Sequence, residues 1–364
     1  MHEADLLELL EELLLARGPG GQEREVREIV RRELQAHCDQ LWQDPAGNLV
    51  GRIRAADRSS AGERHAVRLL AHLDEIAMVV KRVEADGTLR VEALGGAYPF
   101  NFGACPVELL GDQGTLPGVL SFGPMHATQE TPQGSDLLKG RLQWSDVHVV
   151  TRLSAEELTA QGVHPGTRVV LARHWRKPFR VEDAIAAHFM DDRAPVLATL
   201  LAARQTTARR AELECDVYFV FTTMEEETNA GALYAARTLP GDVTVAVEVG
   251  PVAAEYGTQL SVNPIVNTGD RKGYYSKSVT DALLAAARRR GLDPQSALLV
   301  DFASDASAIL QAGLTAKAGC IAIPTENTHG YETVVLGSLA ACADTLVDFV
   351  LALRPADSQA QVFK

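Results

Sequence analysis

Leu6, Leu9, Leu10, Leu13 and Leu14 recur at the spacing of an α-helix, with glutamates between them, and predict an amphipathic first helix. Gly18, Gly20 and Gly21 read as a stop, after which QEREVREIVRREL resumes the same period. Four later runs are short, apolar and β-branched: residues 67–73, 217–223, 243–249 and 318–323. Each reads as a strand buried on both faces. Helical patterns at 196–204, 231–237 and 279–290 lie between them. Strand alternating with helix predicts an α/β fold with a mixed, largely parallel sheet sandwiched by helices.

Residues 77–177 have another texture, rich in Gly, Pro and short strand-like pieces, with SAEELTAQG as one brief helix. They read as a small β-domain inserted into a catalytic domain made of 1–76 and 178–364.

Composition narrows the function classes. The 364 residues carry a net charge of −13, which argues against a nucleic-acid backbone or an anionic membrane surface as the main partner. Five scattered cysteines without a CxxC spacing suggest neither a disulfide framework nor a thiolate metal site, and a reducing cytoplasm fits best. The first residues lack the cationic start of a secretory signal, and no apolar run reaches the roughly 18–20 residues that span a bilayer.

In open α/β sheets, ligands bind beyond the carboxyl ends of the strands. The four predicted strands end in Ala71-His72-Leu73-Asp74-Glu75, in Met224-Glu225-Glu226-Glu227, in Val247-Glu248-Val249-Gly250 and, past the last, in Pro324-Thr325-Glu326-Asn327-Thr328-His329. Each edge therefore presents a histidine, a carboxylate, or both. A fifth contributor is Asp191-Asp192, just ahead of a predicted helix, where Asp192 can cap and Asp191 can face a cation. His72 and Asp74 share one side of an extended strand, so the aspartate can fix the imidazole's tautomer. Glu225 and Glu226 diverge, so one can bind a cation while its neighbour handles the proton of an attacking water. Asp191, Glu226 and Glu248 offset most of the charge of two dications. With His72 and His329 they form an N/O donor set suited to zinc, cobalt or manganese.

The order of GPGGQEREVR, DPAGNLVGRI, AHLDEIAMVV, SAEELTAQGVHPGTRVV, DDRAPV, MEEETNAGA, SDASAIL and IPTENTHGYETVV resembles the tetrahedral (TET) aminopeptidases over nearly the whole chain. That family includes glutamyl and deblocking aminopeptidases and relatives once labelled cellulases. The resemblance implies a zinc-peptidase-like catalytic domain, a PDZ-like inserted β-domain, and homo-oligomers up to dodecamers. It implies a dinuclear metallo-aminopeptidase that removes N-terminal amino acids from short peptides. His72 and Glu248 would serve one metal, Glu226 and His329 the other, and Asp191 both. Glu225 would be the general base and acid, and Asp74 would orient His72. Two positions depart from the family pattern: Glu248 stands where Asp is common, and Glu326-Asn327 where Arg-Tyr is common. An acidic Glu326 would favour a basic N-terminal residue.

Three other readings compete. A di-metal deacylase or dipeptidase would share the chemistry. A metal-free glycosidase would use two carboxylates, although aromatics are only 5%, leaving little for sugar stacking. An inactive scaffold would keep the fold without the reaction.

Overall fold

The computed structural model describes residues 2–55, 65–124 and 142–354. The five leucines of the first predicted helix are all buried on the helix Glu3–Leu15. At about 1.5–3 kcal/mol for each fully buried leucine, that stripe is what fastens the helix to the core. The second helix, Arg24–Leu34, buries Val26, Ile29, Val30 and Leu34 on one face.

Nineteen strands are described, β1 Gln40–Gln43, β2 Leu49–Ile53, β3 Ala66–His72, β4 Ala77–Val83, β5 Leu89–Leu94, β6 Cys105–Gly111, β7 Gly114–Ser121, β8 His148–Val150, β9 Arg168–Leu171, β10 Phe179–Val181, β11 Ala184–His188, β12 Asp216–Thr222, β13 Val243–Pro251, β14 Ile265–Asn267, β15 Gly269–Asp270, β16 Gly273–Tyr274, β17 Gln295–Ala297, β18 Lys317–Glu326 and β19 Tyr331–Val335. The main sheet runs β1-β2-β12-β3-β13-β18-β19-β11-β10, with β14 and β17 attached through β18. Its centre, β12-β3-β13-β18, is parallel and corresponds to the four predicted strands. Six of the ten pairings are antiparallel, so the sheet is mixed, with parallel strands confined mainly to its middle. The reason is connection length: β1 to β2, β10 to β11 and β18 to β19 are joined by short loops, which permit only antiparallel neighbours.

Helices cover both faces. Glu3–Leu15, Arg24–Leu34, Met190–Ala208, Lys277–Arg289 and Leu336–Ala352 share one apolar cluster, while Ala230–Thr238 and Asp305–Gln311 pack on the other side. The predicted β-segment forms a closed six-stranded antiparallel barrel, β4-β5-β8-β7-β6-β9, with its own core around Met78, Val107, Val149 and Val169. SAEELTAQG supplies the helix Ala155–Ala160, capped by the Ser154 hydroxyl, which accepts from the Glu157 amide at 3.2 Å.

Register places the chemistry at one edge. Thr222 pairs with His72, and Ala246 pairs with Leu70, so Glu248, two residues on, stands level with His72. No described helix is long and apolar enough to cross a membrane. All five cysteines are free thiols.

Candidate active site

Five elements converge above the carboxyl edge of the parallel strands. His72 is the last residue of β3, and Glu248 lies within β13. Glu225 and Glu226 open a single helical turn, Glu225–Thr228, after β12. Asp191 lies near the start of Met190–Ala208, where Asp191 and Asp192 leave helical dihedrals and kink the chain. His329 sits in the tight turn between β18 and β19 with φ 61°, a left-handed conformation.

Asp191 is the centre of the arrangement. Its Oδ1 lies 2.8 Å from His72 Nε2, and its Oδ2 lies 3.4 Å from His329 Nε2. Glu248 Oε2 is 3.8 Å from His72 Nε2, and Glu226 Oε2 is 3.7 Å from His329 Nε2. Ligand-type atoms thus form two groups, one of His72, Asp191, Asp192 and Glu248, the other of Asp191, Glu226 and His329. Within each group they all lie within 4.8 Å of one another. Asp191 belongs to both.

Asp74 makes a wider set of contacts than the expected one to His72. It lies 3.5 Å from His72 Nδ1 through Oδ1, and its main-chain oxygen lies 3.2 Å from the same nitrogen. Its carboxylate also accepts the amides of Glu225 at 2.9 Å and Glu226 at 3.0 Å. One fully buried aspartate therefore fixes both the imidazole and the start of the acidic turn. Glu225 Oε1 accepts from Asn229 Nδ2 at 2.8 Å.

Asp192 does not cap its helix. Its Oδ2 accepts the His72 amide at 2.8 Å, and its buried Oδ1 has no hydrogen-bond partner among the described residues. Glu332, which sequence reasoning passed over, is buried and holds two site residues through their backbones. It accepts the His329 amide at 2.9 Å and the Asp191 amide at 3.1 Å. Alternation in YETVV carries the missed signal, since Glu332 and Val334 are the inward positions of β19 and a lone carboxylate sits there. The glycine turn also does more than end a helix. A Cβ on Gly18 would meet the Leu73 carbonyl at 3.0 Å, and one on Gly20 would meet Glu227 Oε1 at 1.7 Å. The turn's glycines are what let it lie against the site loops.

Below the site, Glu75 receives the guanidinium groups of both Arg176 and Arg193, and all three side chains are fully buried. Arg193 also donates to the carbonyls of Leu73 at 2.7 Å and Asp74 at 3.2 Å, which holds the end of β3.

The electrostatics report surplus negative charge in a dry place. Burial, with Asp192 and Glu225 nearby, raises Glu248 well above the carboxylate range. Burial and the charge of Asp191 push Glu226 up to about 7, against the pull of His329. Burial likewise raises Glu225, reinforced by Asp305, Glu226 and Asp74. His329 is raised well above its usual value, chiefly by Glu226. Burial opposes protonation of His72, but Asp192, Asp191 and Asp74 outweigh it and raise its pKa too. Such a cluster is relieved when dications supply the missing positive charge. Glu226 Oε1, buried without a hydrogen-bond partner among the described residues, and the N/O donor set fit that occupant.

A family profile described as M42 glutamyl aminopeptidase matches residues 47–345. A lysyl aminopeptidase of Pyrococcus furiosus is 28% identical over 273 residues, covering 71% of this chain and 74% of the relative. An aminopeptidase of Desulfurococcus kamchatkensis superposes with a TM-score of 0.86 at 25% identity, covering 100% of this chain and 99% of that one. The Pyrococcus horikoshii TET1 peptidase, described as assembling into a tetrahedron or a large octahedral shell, gives a TM-score of 0.83 at 23% identity, with 96% and 100% covered.

Proposed function

The chain belongs to the M42 glutamyl aminopeptidase family, and from that premise we propose that it removes N-terminal amino acids from short peptides with two divalent cations and Glu225. The observation that carries this reading is the position of Asp191, whose two oxygens face separate histidine and glutamate partners. His72 and Glu248 would hold one cation, Glu226 and His329 the other, and Asp191 would bridge them. Zinc or cobalt suits these donors best, and manganese is also compatible. When bound, such cations polarise a carbonyl oxygen and lower the pKa of a water from about 15.7 toward about 7.

The chain's own groups do the rest. Glu225 takes a proton from the attacking water as its oxygen bonds to the scissile carbonyl carbon. It then gives that proton to the amide nitrogen as the C–N bond breaks, so that an amino acid and a shortened peptide leave. Asp74 aligns His72 and holds Glu225 and Glu226 through their amides. We assign residues 1–76 and 178–364 to the catalytic domain and read the barrel within 77–177 as PDZ-like, controlling substrate access and assembly. The assembly named for the Pyrococcus horikoshii structure supports a homo-oligomer for this chain as well, dodecameric by the resemblance. A cytoplasmic role in peptide clearance fits the free thiols.

The test is a panel of aminoacyl-nitroanilides and short peptides, assayed before metal removal, after it, and after reconstitution with each candidate ion. Activity should vanish with the metal and return with it. Glu225→Gln should lower kcat by about 100- to 10,000-fold while metal content holds. Undiminished turnover in the presence of a strong chelator would end the proposal, and hydrolysis of glycosides under those conditions would favour a carboxylate glycosidase.

A further inference from the structure

Glu225 is tied to a residue far along the chain through one amide. Asn229 closes the turn Glu225–Thr228 in the left-handed conformation, φ 55° and ψ 23°, which asparagine tolerates better than most residues. Its backbone amide donates to the Glu225 carbonyl at 3.3 Å. Its side-chain Nδ2 donates to Glu225 Oε1 at 2.8 Å and to Asp305 Oδ1 at 3.0 Å. Its Oδ1 accepts from Lys272 Nζ. Asp305 is held from behind by the Thr222 hydroxyl, at 2.5 Å. Lys272 stands on the hairpin formed by β15 and β16, its own amide donating to Asp270 Oδ1 at 2.8 Å.

These contacts admit one orientation of the amide. Rotating it by half a turn would set Oδ1 against two carboxylates and the NH₂ group against an ammonium. Asn229 is almost entirely buried, so such a mismatch could not be relieved by water. The lysine polarises the amide from its oxygen end, which strengthens the two bonds its NH₂ group donates. Among the described residues no hydrogen bond engages Glu225 Oε2. One carboxylate oxygen is anchored and the other is left for a proton.

We propose that Asn229 and Lys272 form a positioning relay for Glu225, in which the amide fixes the carboxylate and the lysine fixes the amide. The lysine thereby acts on the acid without pairing with it directly, which would hold the carboxylate as a stable ion pair and make it a poorer proton acceptor. The relay rests on reading Glu225 as the proton carrier.

The experiment measures kcat, KM, metal stoichiometry and melting temperature on the best nitroanilide for Glu225→Gln, Asn229→Ala, Lys272→Met, Lys272→Arg and the Asn229→Ala/Lys272→Met double variant. Asn229→Ala should lower kcat by about 10- to 100-fold with KM and metal content unchanged. Lys272→Met should lower kcat less, Lys272→Arg should recover most of that loss, and the double variant should be no worse than Asn229→Ala alone. Multiplying losses in the double variant, or a change confined to KM, overturns the relay. An inactive Glu225→Gln beside an unimpaired Asn229→Ala overturns the relay and leaves the base standing. An active Glu225→Gln removes both. Should Asn229→Ala lose its cooperative melt, the Lys272 pair decides alone, because that residue is only half-buried on a short hairpin. Equal kcat in Lys272→Met and the parent then overturns the relay.

Discussion

Replacing Glu75 by Gln removes the single anion between two fully buried guanidinium groups. Arg193 would keep its bonds to the carbonyls of Leu13, Leu73 and Asp74, and Arg176 its bond to Ala16, so hydrogen bonding survives in part. Charge does not. Burial already pushes the Arg176 guanidinium below its usual value; Glu75 opposes that shift most, with Glu108 adding to it, and the substitution takes the larger opposition away. Breaking a buried pair by deleting one partner costs about 3–5 kcal/mol, because the other charge is left in low dielectric. If residues 1–76 and 178–364, about 260 in all, melt together, unfolding entropy of about 2.1 cal/mol/K per residue gives about 0.55 kcal/mol/K, so the melting temperature should fall by about 5–9 °C. Arg176→Met is the control. It leaves Glu75 and Arg193 as a matched pair and should cost about 1–2 kcal/mol, mostly in a lost hydrogen bond and the stack on Phe189. Calorimetry at fixed protein concentration reads both. A Glu75→Gln melt within about 1 °C of the parent, or a larger fall for Arg176→Met, would refute the reasoning.

Other expectations follow from the same geometry. Gly18→Ala places a Cβ 3.0 Å from the Leu73 carbonyl and 2.8 Å from an Arg193 nitrogen, so it should destabilise by about 1–3 kcal/mol in a denaturant titration; an unchanged midpoint contradicts the close approach. Glu248→Ala should reduce bound metal from about two equivalents to about one by elemental analysis. Retention of both would remove Glu248 from the ligand set. Lysyl-nitroanilide should be cleaved faster than glutamyl-nitroanilide if Glu326, exposed at the end of β18, selects basic residues. A clear glutamyl preference disposes of that assignment.

Much of the centre was legible because apolar runs that end abruptly in acids mark strand edges. Residues 67–73 and 243–249 are nearly continuous hydrophobic stretches, and the residues that interrupt their ends, His72 and Glu248, lie together. The outer strands were harder to read. β10 has an exposed pattern throughout and β1 is only partly buried, so neither carries the apolar signature of a central strand. The closure of the barrel depends on β9 meeting both β4 and β6, a pairing between distant segments that local periodicity does not encode. Asp192, Asn229 and Glu332 were hidden for a related reason. Each looks like an ordinary cap, turn or surface residue in sequence, and a partner that defines its role lies far along the chain, His72 for Asp192, Asp305 for Asn229 and Asp191 for Glu332. Glycine at 18 and 20 read as punctuation because the backbone and side chains they accommodate come from β3 and the acidic turn.

The pairing of Glu75 with Arg176 has a consequence for how this molecule can be rebuilt. The first residue lies just before the chain departs into β4 and the second just before it re-joins the main sheet at β10, so a single buried contact stitches outgoing and returning segments together. A barrel transplanted from a relative would need to bring a matching guanidinium with its trailing segment. Without one, Glu75 would stay paired with Arg193, but the outgoing and returning segments would no longer be fastened to each other through it.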